Sequence, residues 1–108
     1  MAMTSRAEAR LELQLKLEEI LGSDRVYYDP PESFKMKYPC FVYARRNVVS
    51  QRADNIRYQK FTQYEVTYID RDPDSDVIDR VLDSFMHVEH SRHFVLDNLH
   101  QDVFYIYV

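Results

Sequence analysis

One glycine, one cysteine and no tryptophan stand among 108 residues, and each scarcity removes a class of chemistry. A phosphate loop needs several glycines so that backbone N–H groups can close on the anion; Gly22 alone cannot supply one. A single cysteine, Cys40, excludes an internal disulfide and suits a reducing compartment, which points to the cytoplasm. No apolar run approaches the roughly 18 residues that a membrane span needs. The opening residues, MAMTSRAEARLE, carry no apolar h-region, so no secretory signal is expected.

What is present is an ordinary globular composition, 45% hydrophobic and 30% charged, with nine tyrosines. The length suits one domain near the small end of the usual range. The net charge of −4 is unevenly spread. Residues 1–60 hold 11 Lys and Arg against 8 Asp and Glu, a balance of +3, while residues 61–108 hold 3 against 10, a balance of −7. Such a polar molecule can stack on copies of itself or on an oppositely charged partner; alternatively, the acidic half is a solvated helix with its caps.

Phe61–Phe85 organises the rest. Tyr64, Val66 and Tyr68 alternate with Gln63, Glu65 and Thr67, the period of a strand with one buried face. Asp72-Pro73-Asp74-Ser75 stops the strand. Val77, Ile78, Val81, Leu82 and Phe85 then recur at helical spacing, with Ser75 or Asp76 available as a cap. Upstream, Ser5 to Glu8 has capping-box spacing and Gly22 is placed as a C′ residue, so a helix is expected over 5–21. Ala9, Leu13, Leu17, Ile20 and Leu21 form its broad apolar face. Ala7, Leu11 and Leu15 form a second stripe, which either packs on another subunit or stands as an exposed apolar edge.

Val26–Tyr28 reads as a short strand, Pro31 as the start of one helical turn through Met36, and Cys40–Tyr43 as a strand covered on both faces. Residues 45–60 hold five basic residues and one acidic; the segment is either a long loop or a projecting hairpin. His87–Leu96 and Leu99–Val108 are expected strands around an Asp97-Asn98 turn. The fold class is therefore α+β: a mainly antiparallel sheet of about five strands with two helices packed on it, in the order α-β-β-β-α-β-β.

Sites of chemistry are few. Asp70, Asp72, Asp74 and Asp76 alternate like a calcium loop, but Ser75 and Val81 occupy the positions that need glycine and glutamate; turn and capping roles explain them better. His87, His90 and His93 recur every third residue, but on a strand His90 points away from the other two and His100 is separate. Surface histidines are the expected reading, with no metal and no cofactor. Cys40 follows proline in an apolar strand, as a buried small hydrophobe does. No catalytic residues are identified, and an enzyme is not expected. Tyr58 among Arg57 and Lys60 is a mixture that can bind single-stranded nucleic acid, against which stands a pI of about 5.5.

Two motifs carry a family resemblance. Val26-Tyr27-Tyr28-Asp29-Pro30-Pro31-Glu32-Ser33, followed by Lys35-Met36-Lys37-Tyr38-Pro39-Cys40-Phe41-Val42-Tyr43, resembles the PPES, KYP and VY stretch of small phage neck and tail proteins. Tyr64-Glu65-Val66-Thr67-Tyr68-Ile69-Asp70-Arg71-Asp72-Pro73-Asp74-Ser75 resembles their Y.VT.ID.DPDS stretch. The group is the tail-terminator or tail-completion (head–tail joining) proteins of long-tailed bacteriophages and prophages, and the similarity runs through nearly the whole chain. It implies a structural virion protein, assembled in the host cytoplasm, that forms a ring, usually a hexamer, on the tail tube. Such a ring stops tube polymerisation and joins the tail to a head or connector protein, with packaged DNA close by. Under that expectation Leu11, Leu15, Phe104 and Ile106 are interface candidates between subunits. Arg45, Arg46, Arg52 and Arg57 are candidates for a lumen-facing or partner-facing basic segment. A portal-side head-completion or connector protein and a small nucleic-acid-binding module are the competing expectations.

Overall fold

The computed structural model describes residues 5–53 and 57–108, with side chains for 5–48 and 61–108. Its elements run α1 (Arg6–Leu21), β1 (Val26–Tyr28), β2 (Cys40–Ala53), β3 (Arg57–Asp70), α2 (Val77–Ser84), β4 (Val88–Leu96) and β5 (Leu99–Tyr107). The five strands form one sheet in the order β1-β2-β3-β5-β4. Only β1 and β2 are parallel; the other neighbours are antiparallel. The chain is α+β, in the element order expected. Because β5 lies between β3 and β4, helix α2 carries the chain across β5 from one parallel strand to the next, a split βαβ arrangement.

Local chemistry sets the ends of α1. Ser5 Oγ accepts the Glu8 N–H at 3.1 Å, and Gly22, at φ 74°, donates its N–H to the Glu18 carbonyl at 2.8 Å. A left-handed residue there costs glycine least. Leu13, Leu17 and Ile20 are buried against Phe41, Tyr43, Tyr64, Val66, Phe104 and Ile106 of the sheet, each worth roughly 1.5–3 kcal/mol of burial. Helix α2 adds Val77 and Val81 to the same core. Before it, Asp70 accepts the Asp72 N–H and Asp72 accepts the Asp74 N–H. Ser75 Oγ accepts the Val77 N–H. The aspartates thus shape a turn. Asp76 makes no capping bond and pairs instead with Arg80 at 2.9 Å.

Both helices lie on the sheet face carrying Phe41, Tyr43, Tyr64, Val66, Phe104 and Ile106. The segment 29–39 lies on the opposite face, where Tyr27 meets Phe34 edge-on at 5.0 Å. Its expected helical turn from Pro31 is a single reverse turn closed by Phe34 N–H to Pro31 carbonyl at 2.9 Å; Phe34 to Lys37 then run irregularly. Residues 45–53 and 57–60 pair as the hairpin alternative has them. β2 and β3 pair from Cys40↔Ile69 to Ala53↔Arg57, whereas β1 reaches only Tyr43 and β5 only Gln63. The distal halves of β2 and β3 therefore leave the sheet as a two-stranded arm, and the molecule measures 50 × 24 × 22 Å.

Candidate functional site

Two surfaces and one side-chain cluster stand out. The first surface is the outer edge of α1, where Leu11 is 54% and Leu15 56% exposed. One turn apart, they line the same side of the helix, facing away from the core filled by Leu13 and Leu17. The other two interface candidates are corrected. Phe104 and Ile106 have no exposed surface because even-numbered positions of β5 face the helices. A neighbouring subunit cannot reach them without opening the core. On β5 the outward positions beside them are Tyr105 and Tyr107; Tyr107 accepts a hydrogen bond from Gln63 Nε2 at 3.0 Å.

The second surface is the arm. Arg45 and Arg46 stand exposed at its root, where a bulge shifts the register between Arg45 and Asn47. Arg46 pairs with Glu65 at 3.6 Å, so part of the basic charge there is answered within the chain; exposed pairs of this kind contribute about 0–1 kcal/mol. Arg52 lies opposite Tyr58 and Arg57 opposite Ala53 in the backbone register; the side chains of Arg52 and Arg57 lie outside the described residues. Among the described residues no third strand pairs with β2 beyond Tyr43 or with β3 before Gln63, apart from the Thr62–Val108 backbone bonds.

The cluster lies on the β4–β5 hairpin and was not expected. Asp97 and Asn98 adopt φ 54° and 63°, which makes a two-residue turn with the twist a hairpin needs. That turn fixes Leu96↔Leu99, Val95↔His100 and His93↔Asp102. A bulge at Ser91 then shifts the ladder so that His90 pairs with Phe104, which brings His90 to the same face as His93. Strict alternation had separated them. Two residues facing one at a bulge is what breaks the parity.

Asp102 is 4% exposed, and an isolated buried carboxylate is costly unless hydrogen-bonded. Its Oδ1 lies 2.9 Å from His90 Nε2 and 2.9 Å from His93 Nδ1. A carboxylate only accepts, so both imidazoles donate. His93 therefore carries a proton on Nδ1, and in its neutral form the lone pair is on Nε2. That Nε2 faces His100 Nδ1 at 3.3 Å, with the two rings stacked at 5.3 Å. The signal in the sequence was the Asp97-Asn98 turn itself, since a two-residue loop dictates the 93↔102 and 95↔100 pairings.

Elsewhere the chemistry is quiet. Cys40 has no exposed surface, and burial pushes its thiol up from 9.0 to about 12. Tyr68 donates to Asp70 at 2.6 Å, and burial together with that carboxylate raises its phenol. On the outer sheet face a cleft of about 410 Å³ lies between segment 29–36 and β2, lined by Pro31, Phe34, Met36, Val42, Ala44 and Thr67. Among the described residues no set of three or more His, Cys, Asp and Glu side chains is grouped to hold a metal ion, and no helix is long and apolar enough to cross a membrane. Compared with known protein families the chain matches no family model, and no curated protein is significantly similar to it.

Proposed function

We propose that this chain is a ring-forming structural protein of a long-tailed bacteriophage or prophage, a tail terminator that caps the tail tube and joins it to the head. It works by assembly and catalyses nothing. The observation that carries the reading is the arm. A two-stranded ribbon is marginal in water by itself, and its unpaired outer edges are the surface on which another chain can add. A projecting ribbon at one end of the molecule and an exposed leucine pair on α1 are different patches, as a head-to-tail ring requires. Of the two stretches that carry the resemblance, one runs from β1 through the Pro30-Pro31 segment into β2 and the other ends β3 in the Asp72-Pro73 turn.

The partners under this reading are other copies of the chain, the tail tube protein and a connector of the neck, and the protein resides in the virion. The test is solution mass by light scattering over a concentration series, repeated with purified tail tubes. A discrete species near six times the 13.0 kDa chain, or a ring formed only on tube ends, is the expected result. A monomer that neither assembles nor binds tubes overturns the proposal. Co-purification with filled heads instead of tubes would reassign the ring to the portal side.

A further inference from the structure

We propose that His93 and His100 form a two-histidine site for a divalent transition-metal ion of the zinc type, with Asp102 as the residue that positions His93. The argument begins with the tautomer. Asp102 Oδ1 holds a proton of His93 on Nδ1 at 2.9 Å, so the neutral ring keeps its lone pair on Nε2, which faces His100. A metal-ligating histidine commonly donates its other ring N–H to a carboxylate, which fixes its orientation and raises its basicity. Here that outer partner is in place before any ion arrives, and it is nearly inaccessible to water.

Distance is the second support. The facing nitrogens, His93 Nε2 and His100 Nδ1, are 3.3 Å apart. Hydrogen bonds from N–H groups centre near about 3.0 Å, so the contact is long for a bond between the rings. Two nitrogens each about 2.0–2.1 Å from one tetrahedral ion lie about 3.3–3.4 Å apart. Moving the His100 proton to Nε2 leaves a lone pair on each of the two facing nitrogens. Rigidity is the third support. His93 and His100 sit diagonally on neighbouring strands, within reach of long side chains, and the Asp97-Asn98 turn between them fixes their register. His90 is not a ligand in this arrangement, since its Nε2 is taken by Asp102. The remaining coordination positions open to solvent, where water completes the shell.

Untagged protein, stripped with chelator, is titrated with zinc chloride by calorimetry, and with cobalt(II) to read the visible band of a tetrahedral ion. One ion per chain is expected. His93→Ala and His100→Ala each weaken binding at least tenfold. Asp102→Asn weakens it by about 10–100-fold, while His90→Ala and His87→Ala leave it within threefold. Circular dichroism establishes that each variant is folded. If a histidine variant fails to fold, carbon shifts of the His93 and His100 rings in the wild-type NMR spectrum on adding zinc carry the test. Absence of stoichiometric binding, or binding retained when His93 and His100 are both replaced, overturns the site.

Discussion

Tyr43 donates its phenol proton to Gln14 Oε1 at 2.6 Å, joining the first half of β2 to the underside of α1. The same Gln14 gives its Nε2 protons to the Val26 carbonyl at 3.0 Å and to Glu18 at 2.9 Å. One amide thus ties together the helix, the edge strand and the central hairpin. Tyr43→Phe removes that bond and the long one accepted from Arg10 Nη1 at 3.5 Å, and is expected to cost about 1 kcal/mol. Gln14→Ala leaves the Tyr43 O–H without its acceptor and the Val26 carbonyl without its donor, and is expected to cost about 1–3 kcal/mol. Urea unfolding with an unchanged m-value measures both.

Exposure separates the four apolar residues first considered as an interface. Leu11→Ser with Leu15→Ser is expected to change monomer stability by no more than about 0.5 kcal/mol per site, while abolishing the proposed ring. Phe104→Ala, inside the core, is expected to cost about 3–5 kcal/mol. If the leucine pair were as destabilising as Phe104, its surface role would be refuted by the same denaturation curves.

Cys40 gives a pH dependence of definite sign. Its thiol rises from 9.0 to about 12 on folding, so between those values the native state keeps a proton that the unfolded state has lost. Stability is whole below pH 9 and declines as pH climbs through that window, by up to about 1.4 kcal/mol per pH unit for this group. Cys40→Ala should flatten the alkaline limb of a stability–pH curve, and Tyr68→Phe should flatten it further, since that phenol is also raised. At pH 8 native Cys40 should resist a thiol reagent that labels it fully in denaturant.

The Asp97-Asn98 turn is testable through its left-handed backbone. Asn98→Val, a β-branched residue at φ 63°, is expected to cost about 1–2 kcal/mol. Asn98→Gly is expected to hold or raise stability, because glycine adopts that conformation freely. Thermal unfolding distinguishes the two, and loss of the turn should weaken the metal site without touching either ligand.

Periodicity made most of the fold legible. Alternation at Tyr64–Tyr68 and the helical stripe at Val77–Phe85 mark the two central elements, and Ser5 and Gly22 mark both ends of α1. The parallel pairing of β1 with β2 was not legible, because three residues carry no directional signal. Phe104 and Ile106 were placed wrongly because β5 is apolar on both sides, and sequence alone does not say which side the helices cover. The histidine cluster escaped because alternation was applied across a position where the ladder slips. A bulge depends on the partner strand, and no pattern within β4 announces it.

The slip at Ser91 also bears on how this hairpin can change length. Removing one residue from an ordinary strand rotates everything beyond it to the other side. Ser91 is the exception in β4, since the ladder pairs His90 with Phe104 and Arg92 with Val103 and passes over it. A codon lost there would leave every cross-strand partner where it stands, whereas a codon lost between His93 and the Asp97-Asn98 turn would rotate the histidines away from Asp102. Insertions and deletions between the two histidines and the turn are therefore expected to be confined to the bulge over evolutionary time.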